Sequence, residues 1–166
     1  MFSDNFTSVP VELGFLFDGS GQISKPNFLA QIVTAKEIVD SFNISDELAR
    51  VGAAVSSPNS RVLFTFDDPL TGPNRTAEAV KQLLDNTRQD QGAARLGAGI
   101  KTVDLQLFST KGGSMNVSKV SFSYPFVRFL IDSVEISTAA AISLVAYWCK
   151  DCFFTTQDTA LFDALS

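Results

Sequence analysis

Three oxygen-bearing side chains stand close together in one short stretch, Asp18-Gly19-Ser20-Gly21-Gln22. They are a carboxylate, a hydroxyl two residues on, and an amide two residues further. On one side of a turn such oxygens are hard ligands suited to a divalent cation, Mg²⁺ or Ca²⁺. The two glycines offer a second chemistry, an anion cradle in which backbone N–H groups approach a phosphate at the start of a helix. No Gly-Lys-Ser/Thr and no Gly-x-Gly-x-x-Gly accompanies them, so a nucleotide- or phosphate-binding α/β domain is kept only as an alternative. An EF-hand calcium loop is excluded by its outer positions. With Gly21 at the invariant glycine, Leu16 falls at the first ligand position and Asn27 at the twelfth, where an acidic residue and a bidentate Glu are required.

The remaining chemistry is sparse. The chain has no histidine and a formal net charge of -5, which argues against imidazole acid–base or zinc chemistry and against a nucleic-acid-binding surface. Cys149 and Cys152 form Cys-Lys-Asp-Cys, but a zinc site needs four ligands and the chain supplies two thiols. A redox pair needs a thiolate at a helix N-terminus, whereas Phe153-Phe154 reads as strand; a local disulfide and two reduced thiols both stay open. Four N-x-S/T sequons, at Asn5, Asn43, Asn74 and Asn116, fall in connecting segments, as glycan acceptors of a secreted domain would. Asn, Ser and Thr also favour loops on their own account.

The elements that must position these residues follow from periodicity. With 166 residues, 45% hydrophobic and 19% charged, the chain suits one domain over 1–166, with 1–10 a lead-in segment. Val11 to Asp18 is an apolar run of the kind a buried parallel strand shows, and it stops at the Asp18 loop, the rim where open α/β sheets place ligands. Lys25 to Phe42 repeats apolar residues at helical spacing, with Pro26 suited to the first turn. Ala49 to Ser57 and Arg61 to Phe66 read as a hairpin about Pro58-Asn59-Ser60. Thr76 to Leu84 and Ala93 to Phe108 read as two further helices. Ser109 to Pro125 reads as a long connection with one extra strand over 119–124, and Phe126 to Asp132 as another strand ending in a carboxylate.

This order resembles the von Willebrand factor A domain, and the Asp18 loop resembles the first segment of its metal-ion-dependent adhesion site, Asp-x-Ser-x-Ser. Asp18 and Ser20 match, and Gln22 stands at the second serine. In a context like Thr-x-Thr-x-x-Gly-Ile, anchored on Gly99-Ile100, Ala94 falls where the family's second segment supplies a threonine. Asp132 matches the third segment's aspartate, with Ser133 in place of glycine. Only nine residues, 133–141, separate Asp132 from the next apolar strand at Ile142, short of the about 10–12 that a parallel crossover takes. The family's helix there would be cut to about one turn.

The resemblance implies a three-layer, doubly wound α/β fold with a mostly parallel sheet, one antiparallel edge strand, and helices on both faces. Asp18 and Asp132 would converge at the sheet's carboxyl end. It implies a non-catalytic protein-binding or adhesion domain with a weak Mg²⁺ or Ca²⁺ site at Asp18, Ser20, Asp132 and Gln22, whose open coordination position takes a carboxylate from a protein ligand. The alternative within the family is a structural domain without metal, its loop oxygens merely satisfying backbone N–H groups. No run reaches the about 18 apolar residues of a membrane span and no signal peptide is visible. The expectation is a piece of a longer secreted chain, with an intracellular protein as the alternative.

Overall fold

A computed structural model describes residues 10–68 and 75–123. Four strands and three helices follow one another as β1 (Val11–Asp18), α1 (Lys25–Asp40), β2 (Ala49–Ser56), β3 (Arg61–Phe64), α2 (Ala77–Asp85), α3 (Leu96–Thr102) and β4 (Ser118–Ser123). The sheet order is β3-β2-β1-β4. β1 runs parallel to both neighbours, with Val11 opposite Ala49 on one side and Ser118 on the other. β3 is the antiparallel strand, its pairing with β2 broken by a register shift between Ala53 and Ala54. The expected mostly parallel sheet with one antiparallel strand is therefore present.

Each face of the sheet carries helices, and the alternation along β1 decides which. Val11, Leu13, Phe15 and Phe17 point into a core with Phe28, Ile32, Ala35 and Val39 of α1 and Val80 and Leu84 of α2. Leu16, with Ala54 of β2, points the other way, against Val103 and Leu107. This second face is built for close approach. Gly14 and Gly52 sit opposite each other in register, and a Cβ on Gly14 would lie 2.7 Å from Phe108 Cζ and one on Gly52 2.5 Å from Leu107 Cδ1.

The helix expected over Ala93 to Phe108 is reshaped by that contact. It begins only at Leu96, and after Thr102 it widens into a π-helical turn over Val103–Leu107, closed by Phe108 N–H donating to Val103 C=O at 2.8 Å. The wider turn shifts the helical phase as Leu107 and Phe108 seat against the glycine pair. The extra strand expected over 119–124 is present as β4, starting one residue earlier and paired in parallel with β1. Ser121 and Ser123 are buried, and Phe122 stacks on Phe15 with ring centroids 5.3 Å apart. The lead-in 1–9, the strand expected over 126–132, the apolar strand from Ile142, Cys149 and Cys152 lie outside the described residues. Among the described residues no helix is long and apolar enough to cross a membrane.

At the amino end of the sheet, β1 buries a carboxylate. Glu12 is fully buried and Arg50, its register partner on β2, is 5% exposed. Arg50 Nη2 donates to Glu12 Oε1 and to Gly113 C=O, and Nη1 donates to Asp67 at 3.2 Å. Glu12 also accepts from Ser114 Oγ at 2.6 Å and from Met115 N–H at 2.8 Å. A buried charge left unpaired is costly, whereas a well-packed apolar pair in its place is near neutral. Glu12→Leu should therefore cost about 3–5 kcal/mol in urea denaturation, and adding Arg50→Met should return most of it. A single-variant cost below about 1 kcal/mol would show that the pair does not hold this end of the sheet together.

Candidate functional site

β1 is the strand at which the chain switches sides, since β2 is added on one edge and β4 on the other. The crevice beyond the carboxyl end of such a strand is the usual ligand position of an open α/β sheet, and there β1 gives way to the loop 19–24. Seven of the eight residues of β1 are buried, and Asp18 is the first to reach partial exposure. Its backbone is clamped from α1: Asp18 N–H donates to Gln31 Oε1 at 2.8 Å, and Gln31 Nε2 donates to Asp18 C=O at 3.2 Å. Gln31 is itself only 3% exposed, a polar side chain on an otherwise apolar helix face.

The loop spends its own donors internally. Gly19 N–H goes to Ser56 C=O at 2.8 Å, and Gly21 N–H to Gly92 C=O at 2.8 Å. Ser20 N–H goes to Asp18 Oδ1 at 2.9 Å and Gln22 N–H to Ser20 Oγ at 3.3 Å. The α1 N-terminus is capped by Ser24, whose Oγ accepts from Asn27 N–H. Four consecutive N–H groups thus have partners within the fold, the reverse of a phosphate cradle, which needs them pointed at the ligand.

A second loop is strapped across the first. Asp90 and Gln91 N–H both donate to Gly19 C=O, at 3.0 and 2.9 Å, and Gln89 Nε2 donates to the carbonyls of Ser20 and Ile23 at 2.7 and 3.0 Å. The strap turns through Gln91 and Gly92 with φ of 65° and 81°, the left-handed region that glycine enters without strain. Asp90 is engaged by Arg61 Nη2 at 2.9 Å. Neither Gln31 nor Gln89 was among the candidate residues. The signal for Gln31 was a lone amide within the apolar spacing of α1, and no sequence signal marks Gln89.

The structure brings Asp18 and Ser20 into one turn, with Ser20 fully buried and Gln22 exposed. The strap ends beside Ala94, which is exposed and carries no oxygen. Asp132 lies outside the described residues, so its convergence with Asp18 is not described. Carboxylate and hydroxyl oxygens are the right donor type for Mg²⁺ or Ca²⁺, and a carboxylate with one oxygen held by Ser20 N–H keeps the other for a ligand. The donor number is short: among the described residues no three His, Cys, Asp or Glu side chains gather as a metal cluster.

This strand-to-loop arrangement on a mostly parallel sheet is that of an open α/β domain. Residues 12–144 match the model of the von Willebrand factor type A domain, and the chain belongs to that family. It is 29% identical over 106 residues to Cochlin of Mus musculus, covering 64% of this chain and 18% of that protein. To Cochlin of Homo sapiens it is 29% identical over 98 residues, covering 59% and 17%. The matches thus span under a fifth of either relative's length. Among solved structures, proximal thread matrix protein 1 from the mussel byssus superposes with a TM-score of 0.63 at 22% identity, over 90% of this chain and 37% of that one. A second structure of that protein, with a zinc-occupied MIDAS motif, also gives 0.63, at 21% identity and the same coverage.

The alignment expected from the sequence would place Gln22 and Ala94 where the family pattern carries hydroxyl donors, and both are exposed. Gln22→Ser with Ala94→Thr should restore them without disturbing the core. Titration calorimetry is expected to show tighter Mg²⁺ binding than in the unaltered protein. An unchanged isotherm would mean that Ala94 is not the threonine position.

Proposed function

We propose that residues 1–166 form a single non-catalytic protein-binding domain of the adhesion type, part of a longer secreted chain. Its ligand surface is the carboxyl end of the sheet. Asp18 and Ser20, with Gln22 and Asp132 completing the set, hold Mg²⁺ or Ca²⁺ weakly, and water fills the remaining positions, as Mg²⁺ tolerates. Once bound, the cation supplies positive charge and an open coordination position for a carboxylate on a protein partner. The observation that carries this reading is the use of the loop's N–H groups. With those of residues 19–22 spent internally, the loop offers oxygen rather than N–H to a ligand, which favours a cation over a phosphate.

The internal bonds also fix the oxygens before anything binds. Ser20 N–H orients the Asp18 carboxylate, Gln22 N–H orients the Ser20 hydroxyl, and Gln31 holds the end of the strand. Little reorganisation remains to oppose association. Family membership supports a binding role, and the likeness to a matrix protein of the mussel byssus supports an extracellular one.

With so few donors the dissociation constant should be about 1 mM, like that of extracellular calcium modules. At about tenfold excess over that constant, linkage stabilises the fold by about 1.4 kcal/mol. At about 2–4 °C per kcal/mol for a domain of this size, the melting temperature should rise by about 3–6 °C. Thermal melts in EDTA and in excess Mg²⁺ or Ca²⁺ should show that rise, and Asp18→Ala should abolish it. A wild-type melt blind to both cations would replace this reading with a metal-free domain that binds through another surface.

A further inference from the structure

We infer that Asn43 and Asn116 are acceptors for N-linked oligosaccharide and that they place it at the end of the sheet opposite the ligand loop; this rests on the secreted reading above. Both belong to N-x-S sequons, Asn43-Ile44-Ser45 and Asn116-Val117-Ser118. Asn43 lies between α1 and β2, six residues before Ala49, and Asn116 two residues before β4. Since β1, β2 and β4 run parallel, with Val11 opposite both Ala49 and Ser118, both connections enter the sheet at its amino end. β1 separates that end from Asp18 by roughly 23 Å, at about 3.3 Å per residue.

The local structure presents both side chains outward on a held backbone. Asn43 is exposed while Ile44 is buried in the core. Asn43 C=O accepts from Ala49 N–H at 3.2 Å, and Ser45 N–H donates to Ala49 C=O at 3.1 Å. Asn116 is exposed and follows Ser114 and Met115, the two residues anchored on the buried Glu12 carboxylate. One structural reason for an asparagine in a turn, left-handed backbone, does not apply to either: among the described non-glycine residues only Gln91 has positive φ. A sugar chain at either site therefore displaces no packed side chain and strains no backbone.

The donor is a lipid pyrophosphate-linked oligosaccharide. A bond forms between the Asn Nδ2 and the anomeric carbon, that carbon's bond to the phosphate oxygen breaks, and the lipid pyrophosphate leaves together with one amide proton. With sugar at the amino end, the Asp18 loop stays open to a protein ligand.

The test is expression of the full chain behind a secretion leader in eukaryotic cells, with site occupancy read by peptide mass spectrometry after amidase release in heavy water. Both asparagines should carry the deamidation mark, and Asn43→Gln and Asn116→Gln should each remove one glycan. The Asn43→Gln, Asn116→Gln double variant, which loses these two glycans alone, should keep the Asp18-dependent cation response of the glycosylated chain. Secreted chain with both sites unmodified would overturn the inference, and a cation response altered in the double variant would overturn the placement. Chain retained in the cells is scored in the same way from the lumenal fraction. Occupied sites on chain that never reaches the medium would support the acceptors and count against the secreted reading.

Discussion

Burial of β1 on both faces and both edges is the constraint from which the rest follows. It pairs with β2 and β4 and packs helices above and below, so any polar atom along it must find its partner inside the protein. Its backbone does so through the two ladders, and its one internal carboxylate through Arg50, Ser114 and Met115. Asp18 is the first residue of the strand released from that requirement. It marks the point where the strand reaches solvent, and the same strand that buries Glu12 at one end carries Asp18 at the other.

Both ends use the same device, in which one chain segment satisfies the polar groups of another far from it in sequence. At the amino end Glu12 anchors residues 114 and 115; at the carboxyl end Gln31 and the strap 89–92 hold residues 18–23. Tight loops would otherwise leave N–H and C=O groups stranded, each at a cost of about 1–3 kcal/mol. Satisfying them fixes the loop and limits what it can bind. A loop whose amides are committed makes a poor anion site, and its unspent capacity lies in oxygen lone pairs.

Where local pattern and tertiary demand coincide, the elements could be read from the sequence. β1 runs over Val11–Asp18 as its apolar run predicts, α1 starts at Lys25 with Pro26 in its first turn, and β2 starts at Ala49. β4 was expected within one residue of its bounds, but its place beside β1 was not readable, since buried serines such as Ser121 and Ser123 read like loop serines until the partner strand is known. The π-helical turn could not be foreseen, since the glycines that its Leu107 and the following Phe108 pack against stand some ninety and fifty residues earlier in the chain. At the candidate site, the turn that brings Asp18 and Ser20 together was legible as residue types at fixed spacing. Gln31 and Gln89 were not, because a glutamine that clamps backbone has no spacing of its own.

On the proposed alignment, with Ala94 at the family's threonine, family membership and a short donor set pull in different directions, and the loop geometry is compatible with both. Gly92, two residues before Ala94, bonds Gly21, so the second loop keeps its place against the first although Ala94 carries no oxygen. The strap's bonds run through backbone atoms and through Gln89, none of which depends on the side chain at position 94. On that alignment an alanine there withholds a ligand without loosening the loop, so the framework would persist while the affinity for a cation falls. On the proposed reading, the ligand surface is consequently a preformed scaffold weak in metal, one in which direct contacts from the protein partner must supply more of the binding than the cation does.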